Sequence, residues 1–342
     1  MDTRIINFYE DGFKDCVNEI RENGVVVFPT ETVYGIGGNA LSPQAINKIF
    51  EVKNRERDNP LIVHVCDYDI SKYVKNISED SNKLIDKFWP GPLTIIFEKS
   101  SIIPYETTGG RESVGLRMPN NEIALKLIKE SGCPIAAPSA NISGRPSGTN
   151  SKRCFDDLKG RVKFIIDGCE SKIGLESTVI SMINDEPIIL RPGYITLQDI
   201  QKVLPRVKMY ERVNEKILDE NPISPGMKYK HYAPKGKMVI VKGNMENIKS
   251  YVKQEIINHK KVGVLCFKEN YKFYREISEE LNLVVVGSKS DLNEIGKNLF
   301  ESIRRFDDLN CDFIISECLN EDFSTAIMNR LLKAASFNVI TF

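Results

Sequence analysis

Short apolar runs recur along the whole chain, separated by polar stretches rich in turn residues. In the first half they read as buried strands at 24–28, 61–65, 93–97, 114–117, 134–137, 162–166, 178–182 and 188–190. Helical spacing is clearest at Ala45, Ile46, Ile49 and Phe50. It follows Ser42-Pro43, which supplies a capping hydroxyl and a proline suited to the first helical position. Trp89-Pro90-Gly91-Pro92 reads as a turn. Many strands with few helices between them predict a curved mixed α/β sheet rather than a doubly wound one.

The pattern changes near residue 205. Residues 206–236 are polar and charged, hold Pro222, Pro225 and Pro234, and keep no period. They predict a long connection, and a loop of that length is usually a linker or functional. From Lys237 onward, apolar runs at 238–241, 262–267, 283–286 and 313–316 alternate with helical patterns at 246–257, 291–306 and 324–335. That order predicts a small parallel α/β domain. The expected organisation is a first domain at 1–205, a linker or lid at 206–236 and a C-terminal domain at 237–342.

A length of 342 residues suits two domains of ordinary size. Lys+Arg and Asp+Glu are each 47, so the net charge is zero. This balance argues against attraction of the whole chain to nucleic acid or anionic lipid and leaves room for a local basic cleft. No apolar run approaches the roughly 20 residues of a membrane span, and no signal-like apolar stretch follows Met1, so a cytoplasmic protein is expected. The eight cysteines are dispersed without a C-x-x-C pair, which predicts free thiols. His64 and Cys66 lack the second pair that a zinc site needs, so no metal site is expected.

Several polar clusters punctuate the strands. Pro29-Thr30-Glu31-Thr32-Val33-Tyr34-Gly35-Ile36-Gly37-Gly38 follows the run at 24–28, precedes a helix, and reads either as a ligand-approach loop or as a plain strand–helix connection. Gly35-Ile36-Gly37-Gly38-Asn39-Ala40 matches a dinucleotide fingerprint only weakly, because its first glycine lies too far from the strand end. Lys53, Arg55 and Arg57 cluster where the helix begun at Pro43 should end. They could complement its dipole as solvated charges or clamp a polyphosphate. His64 shares a strand face with Ile62, as a core histidine also would. Arg117 and Arg191 sit at strand ends. The stretch 138–149, with Ser139, Asn141, Ser143, Ser147 and Thr149, offers neutral donors and close backbone approach suited to phosphate or ribose. No Walker loop and no G-x-S-x-G elbow occur.

Taken in order, PTETVYG (29–35), KNRERDNPL (53–61), WPGPLT (89–94), VGLRMP (114–119), APSANISGRPSGT (137–149), LESTV (175–179), LRPG (190–193) and SPGMKYKHYAP (224–234) resemble the YrdC-like family of threonylcarbamoyl-AMP synthases in its two-domain form. The resemblance implies a twisted mixed sheet around a concave cavity, plus a small parallel α/β domain. It implies an enzyme that joins L-threonine, bicarbonate and ATP, with Mg²⁺ on the ATP, into threonylcarbamoyl-AMP and pyrophosphate. The product would pass to a tRNA-modifying transferase complex; direct tRNA binding is compatible with the resemblance but not required by it.

The family's catalytic set falls on Lys53, Arg55, Ser139 and Asn141. Its threonine positions fall on Thr32, His64, Arg117, Ala137 and Ser177. Its nucleotide positions fall on Arg55, Asn59, Ser113, Ser139, Ser147 and Arg191, with His231 and Tyr232 added from the linker. Three competing readings are weaker. A nucleic-acid module would interleave aromatics with the cations at 53–57. A dinucleotide enzyme would place a glycine-rich turn after residue 241. A carbamoyl transferase that matures metallo-enzymes also contains a YrdC-like domain, but it would add C-x-x-C pairs.

Overall fold

The strands sort into two sheets, each belonging to its own compact unit. The computed structural model describes residues 1–8, 12–183, 186–211, 231–319 and 325–342. The first sheet holds β1 (Arg4–Asn7), β2 (Val26–Phe28), β3 (Gly35–Asn39), β4 (Ile62–His64), β5 (Leu93–Glu98), β6 (Ser113–Arg117), β7 (Ile135–Ala136), β8 (Phe164–Asp167), β9 (Thr178–Ser181), β10 (Ile188–Arg191) and β11 (Lys208–Met209). Their order is β1-β8-β2-β3-β7-β4-β6-β5-β9-β10-β11. Parallel pairs such as β4–β6 stand beside antiparallel ones such as β5–β6, so the sheet is mixed as the sequence predicts.

Both faces of this sheet are covered, which is why its strands read as continuous apolar runs rather than as alternating ones. Val27 belongs to one core, with Ile36, Val63 and Leu116. Its neighbours Val26 and Phe28 belong to another, with Ile135 and Ile166. This is the period-two alternation of a pleated strand. The covering helices are more numerous than expected: Gly12–Arg21, Pro43–Lys53, Glu79–Phe88, Glu122–Ser131 and Ser151–Leu158. They are short, of eight to eleven residues, and their buried positions recur at helical spacing, as Phe13, Cys16, Val17 and Ile20 do, so the signal for them is present in the sequence. Ser42, Ser78, Asn121 and Asn150 cap four of them through side-chain oxygens.

Two other elements depart from expectation. Gly35–Asn39 is a strand paired to β2 and β7, not a loop. Its glycines conceal it, because glycine is depleted in strands, yet here they are required: a Cβ on Gly37 would meet Ile135 at 2.4 Å and Phe28 at 2.8 Å. The sheet also runs past residue 205, since Lys208–Met209 pairs with β10. Of the expected connection, residues 212–230 lie outside the described residues.

The second unit comprises Tyr229–Phe342 together with two short pieces from earlier in the chain, Gly144–Pro146 and Ile173–Leu175. Its sheet holds β12 (Lys237–Lys242), β13 (Val262–Phe267), β14 (Asn282–Gly287), β15 (Phe313–Glu317) and β16 (Val339–Thr341), in the order β14-β13-β15-β12-β16. The pairings are parallel, as predicted for this half. The edge strand β16 escapes sequence reading because none of its residues is fully buried.

Candidate functional site

The middle of the first sheet gathers most of the polar positions singled out by the sequence. Register places His64 on β4 opposite Arg117 on β6 and opposite Ile135 on β7. Arg117 is 4% exposed, donates from Nε to the Gly91 carbonyl at 3.2 Å, and forms an ion pair with Glu31 at 2.8 Å. Glu31 lies in the connection from β2 to β3, which is tied by hydroxyls. Thr30 Oγ1 donates to the Val33 carbonyl at 2.6 Å and stands 2.8 Å from Thr32 Oγ1. Burial, with a smaller contribution from Arg117, lowers the His64 pKa to about 3, so its ring is neutral at pH 7. The Ala137 amide donates to the Ile62 carbonyl at 2.9 Å and so fixes the chain just before Ser139.

Lys53 ends the helix Pro43–Lys53, and Asn54 turns the chain in the left-handed region with φ 50°. The Arg55 amide then closes the turn on the Phe50 carbonyl at 2.9 Å. Lys53 is not a solvated helix-end charge. It is 1% exposed and its Nζ donates to the carbonyls of Ser139 and, at 2.5 Å, Asn141. The Ser143 amide returns a bond to the Lys53 carbonyl at 2.9 Å. Ser139 Oγ donates to Asn141 Oδ1 at 2.5 Å. Lys53, Ser139 and Asn141 therefore converge, although they are more than eighty positions apart. Arg55 is half-buried and donates to the Pro60 carbonyl at 3.2 Å, beside the buried Asn59. Only Arg57 fits the solvated reading; its side chain and that of Glu51, 3.9 Å away, are both mostly exposed.

A third group surrounds Ser177 at the entry to β9. Ser177 Oγ stands 2.8 Å from Thr94 Oγ1, and Arg191 donates to the Ser177 carbonyl from Nε at 3.2 Å and from Nη2 at 2.9 Å. Ser147 Oγ donates to Glu176 Oε1 at 2.7 Å. Gly193 is required beside them, because a Cβ there would lie 2.2 Å from the Thr178 amide nitrogen. Ser113 is half-buried at the start of β6, paired in register with Glu98.

His231 and Tyr232 belong to the second unit. The Tyr232 ring stacks on Phe300 with centroids 4.9 Å apart, and the Arg330 guanidinium lies 6.0 Å from its centroid. Sequence reading gave no role to Glu31, Thr94 and Glu176, which contact Arg117, Ser177 and Ser147. Each lies inside or beside a quoted motif, and the available signal was a polar side chain set in an otherwise buried stretch. The cysteines are free, and burial pushes Cys16 and Cys266 up to about 12, away from thiolate chemistry. Among the described residues no group of three or more His, Cys, Asp or Glu is placed to hold a metal, and no helix is long and apolar enough to cross a membrane.

Comparison with known proteins covers both units. Residues 18–193 match the family model designated by Sua5, YciO and YrdC and described as "Telomere recombination". Residues 195–336 match one described as "Threonylcarbamoyl-AMP synthase, C-terminal domain". The chain is 41% identical to the threonylcarbamoyl-AMP synthase of Pyrococcus abyssi, covering 94% of this chain and 93% of that protein. It is 42% identical to that of Bacillus subtilis, covering 94% and 92%. Among solved structures, P. abyssi Sua5 complexed with L-threonine aligns with a TM-score of 0.88 at 39% identity, over 99% of this chain and 100% of that one.

Proposed function

Since this chain belongs to the two-domain Sua5/YrdC family of threonylcarbamoyl-AMP synthases, we propose how its own side chains carry that reaction. It is an ATP-using enzyme of nucleotidyl transfer whose product is an adenylate. In the proposed sequence, threonine's amine attacks the bicarbonate carbon and water leaves, giving an N-carboxy intermediate. A carboxylate oxygen of that intermediate attacks the α-phosphorus of ATP, and pyrophosphate leaves. Two anions must meet, so positioning and cationic charge are what the protein has to supply. The observation that carries the assignment is the Lys53–Ser139–Asn141 convergence: a buried ammonium that fixes a hydroxyl and an amide in one place.

Lys53 and Arg55 stand on the phosphate side, with Asn59, Ser113, Ser139, Ser147 and Arg191 shaping the nucleotide's seat. Arg191, whose fork rests on Ser177, acts there by ordering the strand entry. Threonine is assigned to Thr32, His64, Arg117, Ala137 and Ser177. The neutral His64 ring reads a hydroxyl or amine rather than pairing as a cation. Arg117 meets the substrate carboxylate while Glu31 holds its other side. Mg²⁺ is assigned to the triphosphate oxygens, where it screens charge. The adenylate is assigned to a downstream transferase that modifies tRNA in the cytoplasm.

The test is pyrophosphate release from the full chain with ATP and Mg²⁺. Release that requires threonine and bicarbonate together is expected. Equal release with serine, or release without bicarbonate, counts against the substrate assignment.

A further inference from the structure

Gly144–Pro146 and Ile173–Leu175 cluster with the second unit although the chain on either side of each belongs to the first. The grip on Gly144–Pro146 has several points. The Ala233 amide donates to the Gly144 carbonyl at 2.9 Å. Arg145 pairs with Asp307 at 3.5 Å. Arg304, 2% exposed, donates from Nη2 to the Pro146 carbonyl. Asp307 is itself fixed, because its Oδ1 accepts from the Lys235 amide at 2.7 Å. The grip on Ile173–Leu175 comes from the same helix, Leu292–Asp308. Gly174 has φ 75°, and a Cβ there would meet the Lys297 carbonyl oxygen at 2.4 Å, while Leu175 packs beside Gly296.

Each held piece runs straight into a residue assigned to the site or bonded to one. Ser147 comes directly after Pro146, and Glu176 directly after Leu175. Those two residues are hydrogen-bonded to each other at 2.7 Å, and Ser177 comes next. Upstream of Gly144 lie Ser143, bonded to the Lys53 carbonyl, and the Ser139–Asn141 pair. Helix Leu292–Asp308 thus holds two segments of its own unit, and the chain next to them carries two groups of the assigned site, Ser139–Asn141 and Ser147–Glu176–Ser177.

We propose that the helix Leu292–Asp308 is a splint for the reaction loops, with Arg304 and Asp307 as positioning residues that touch no substrate. The proposal rests on the functional reading of Ser139, Asn141, Ser147 and Ser177. It gives this helix a positioning part in the chemistry: a connection pinned at several points surrenders its conformational freedom before substrates arrive.

The test uses the full chain with Asp307→Asn and Gly174→Ala, which loosen the two grips separately, and Arg304→Lys, which keeps the charge but loses the fork. Two readouts are taken on the folded fraction: pyrophosphate release and amide hydrogen exchange. Each variant is expected to lose about tenfold or more in kcat/KM, and Arg304→Lys less than the others. Exchange should accelerate at residues 139–149 and 173–178 but stay unchanged in β2 and β4. Wild-type turnover per folded molecule, or unchanged exchange in those two stretches, overturns the splint. Exchange needs no turnover, so a wild-type chain that releases no pyrophosphate sinks the functional reading while exchange still decides the splint.

Discussion

Glu31 and Arg117 stand 2.8 Å apart as an ion pair, and each side chain is 5% exposed. Taking both charges out of water is costly, so neither is tolerated alone. Glu31→Gln leaves the guanidinium without a counter-ion and should lower unfolding stability by about 3 kcal/mol. Urea denaturation checks this. A midpoint equal to wild type would show that the pair contributes nothing to the fold. Threonine affinity should fall as well, because Arg117 is then free to turn away.

Lys53→Ala removes the ammonium that bridges two carbonyls. Losing these bonds at a buried position costs about 1–3 kcal/mol, so stability and turnover should fall together. Turnover should drop roughly tenfold to a thousandfold. Arg57→Ala, at an exposed position, should change neither. Thermal melts and pyrophosphate assays on the pair decide it, and equal behaviour of the two variants would refute the distinction.

His64 gives the protein an acid-side weakness. Its pKa falls from the ordinary 6.5 to about 3 in the folded chain. Below pH 6.5 the unfolded chain therefore takes up a proton that the native chain refuses. Stability is full above that value and declines as pH falls toward 3, by up to ~1.4 kcal/mol per pH unit. His64→Gln should flatten that part of the curve. Urea midpoints between pH 7 and pH 4 that run parallel in both proteins would rule this out.

Gly193→Ala places a Cβ 2.2 Å from the Thr178 amide nitrogen and 2.5 Å from the Ser177 carbonyl carbon. These are backbone atoms and cannot swing aside. The entry to β9 must shift, with Ser177 on it. The expected results are a loss of about 1–3 kcal/mol in stability and a KM for threonine raised more than that for ATP. Unchanged kinetics would remove Ser177 from the threonine side.

Much of this was legible in local chemistry. Ser42-Pro43 announced a helix start, and the Ser42 side chain does accept from the Ala45 amide. The covered strands were visible as apolar runs, because burial on both faces leaves no room for polar residues. What stayed hidden depends on partners far away in sequence. Gly35–Asn39 looks like a loop until Phe28 and Ile135 press on it. Lys53 looks solvated until the chain at 139–141 wraps its ammonium. Glu31 gains meaning only when β6 delivers Arg117.

The place of β1 carries a consequence for synthesis. Its partner is β8, in parallel register from Arg4 with Phe164 to Asn7 with Asp167. Thr3 beside it donates to the Val162 carbonyl, 159 positions away. β2 also borders β8, so one side of the sheet's interior stays unpaired until β8 has left the ribosome. Long-range parallel pairing of this kind folds slowly and leaves strand edges open to other chains meanwhile. The nascent first unit is therefore expected to be the stage at which open edges most favour aggregation, and truncation before residue 164 should yield an aggregating product rather than a smaller enzyme.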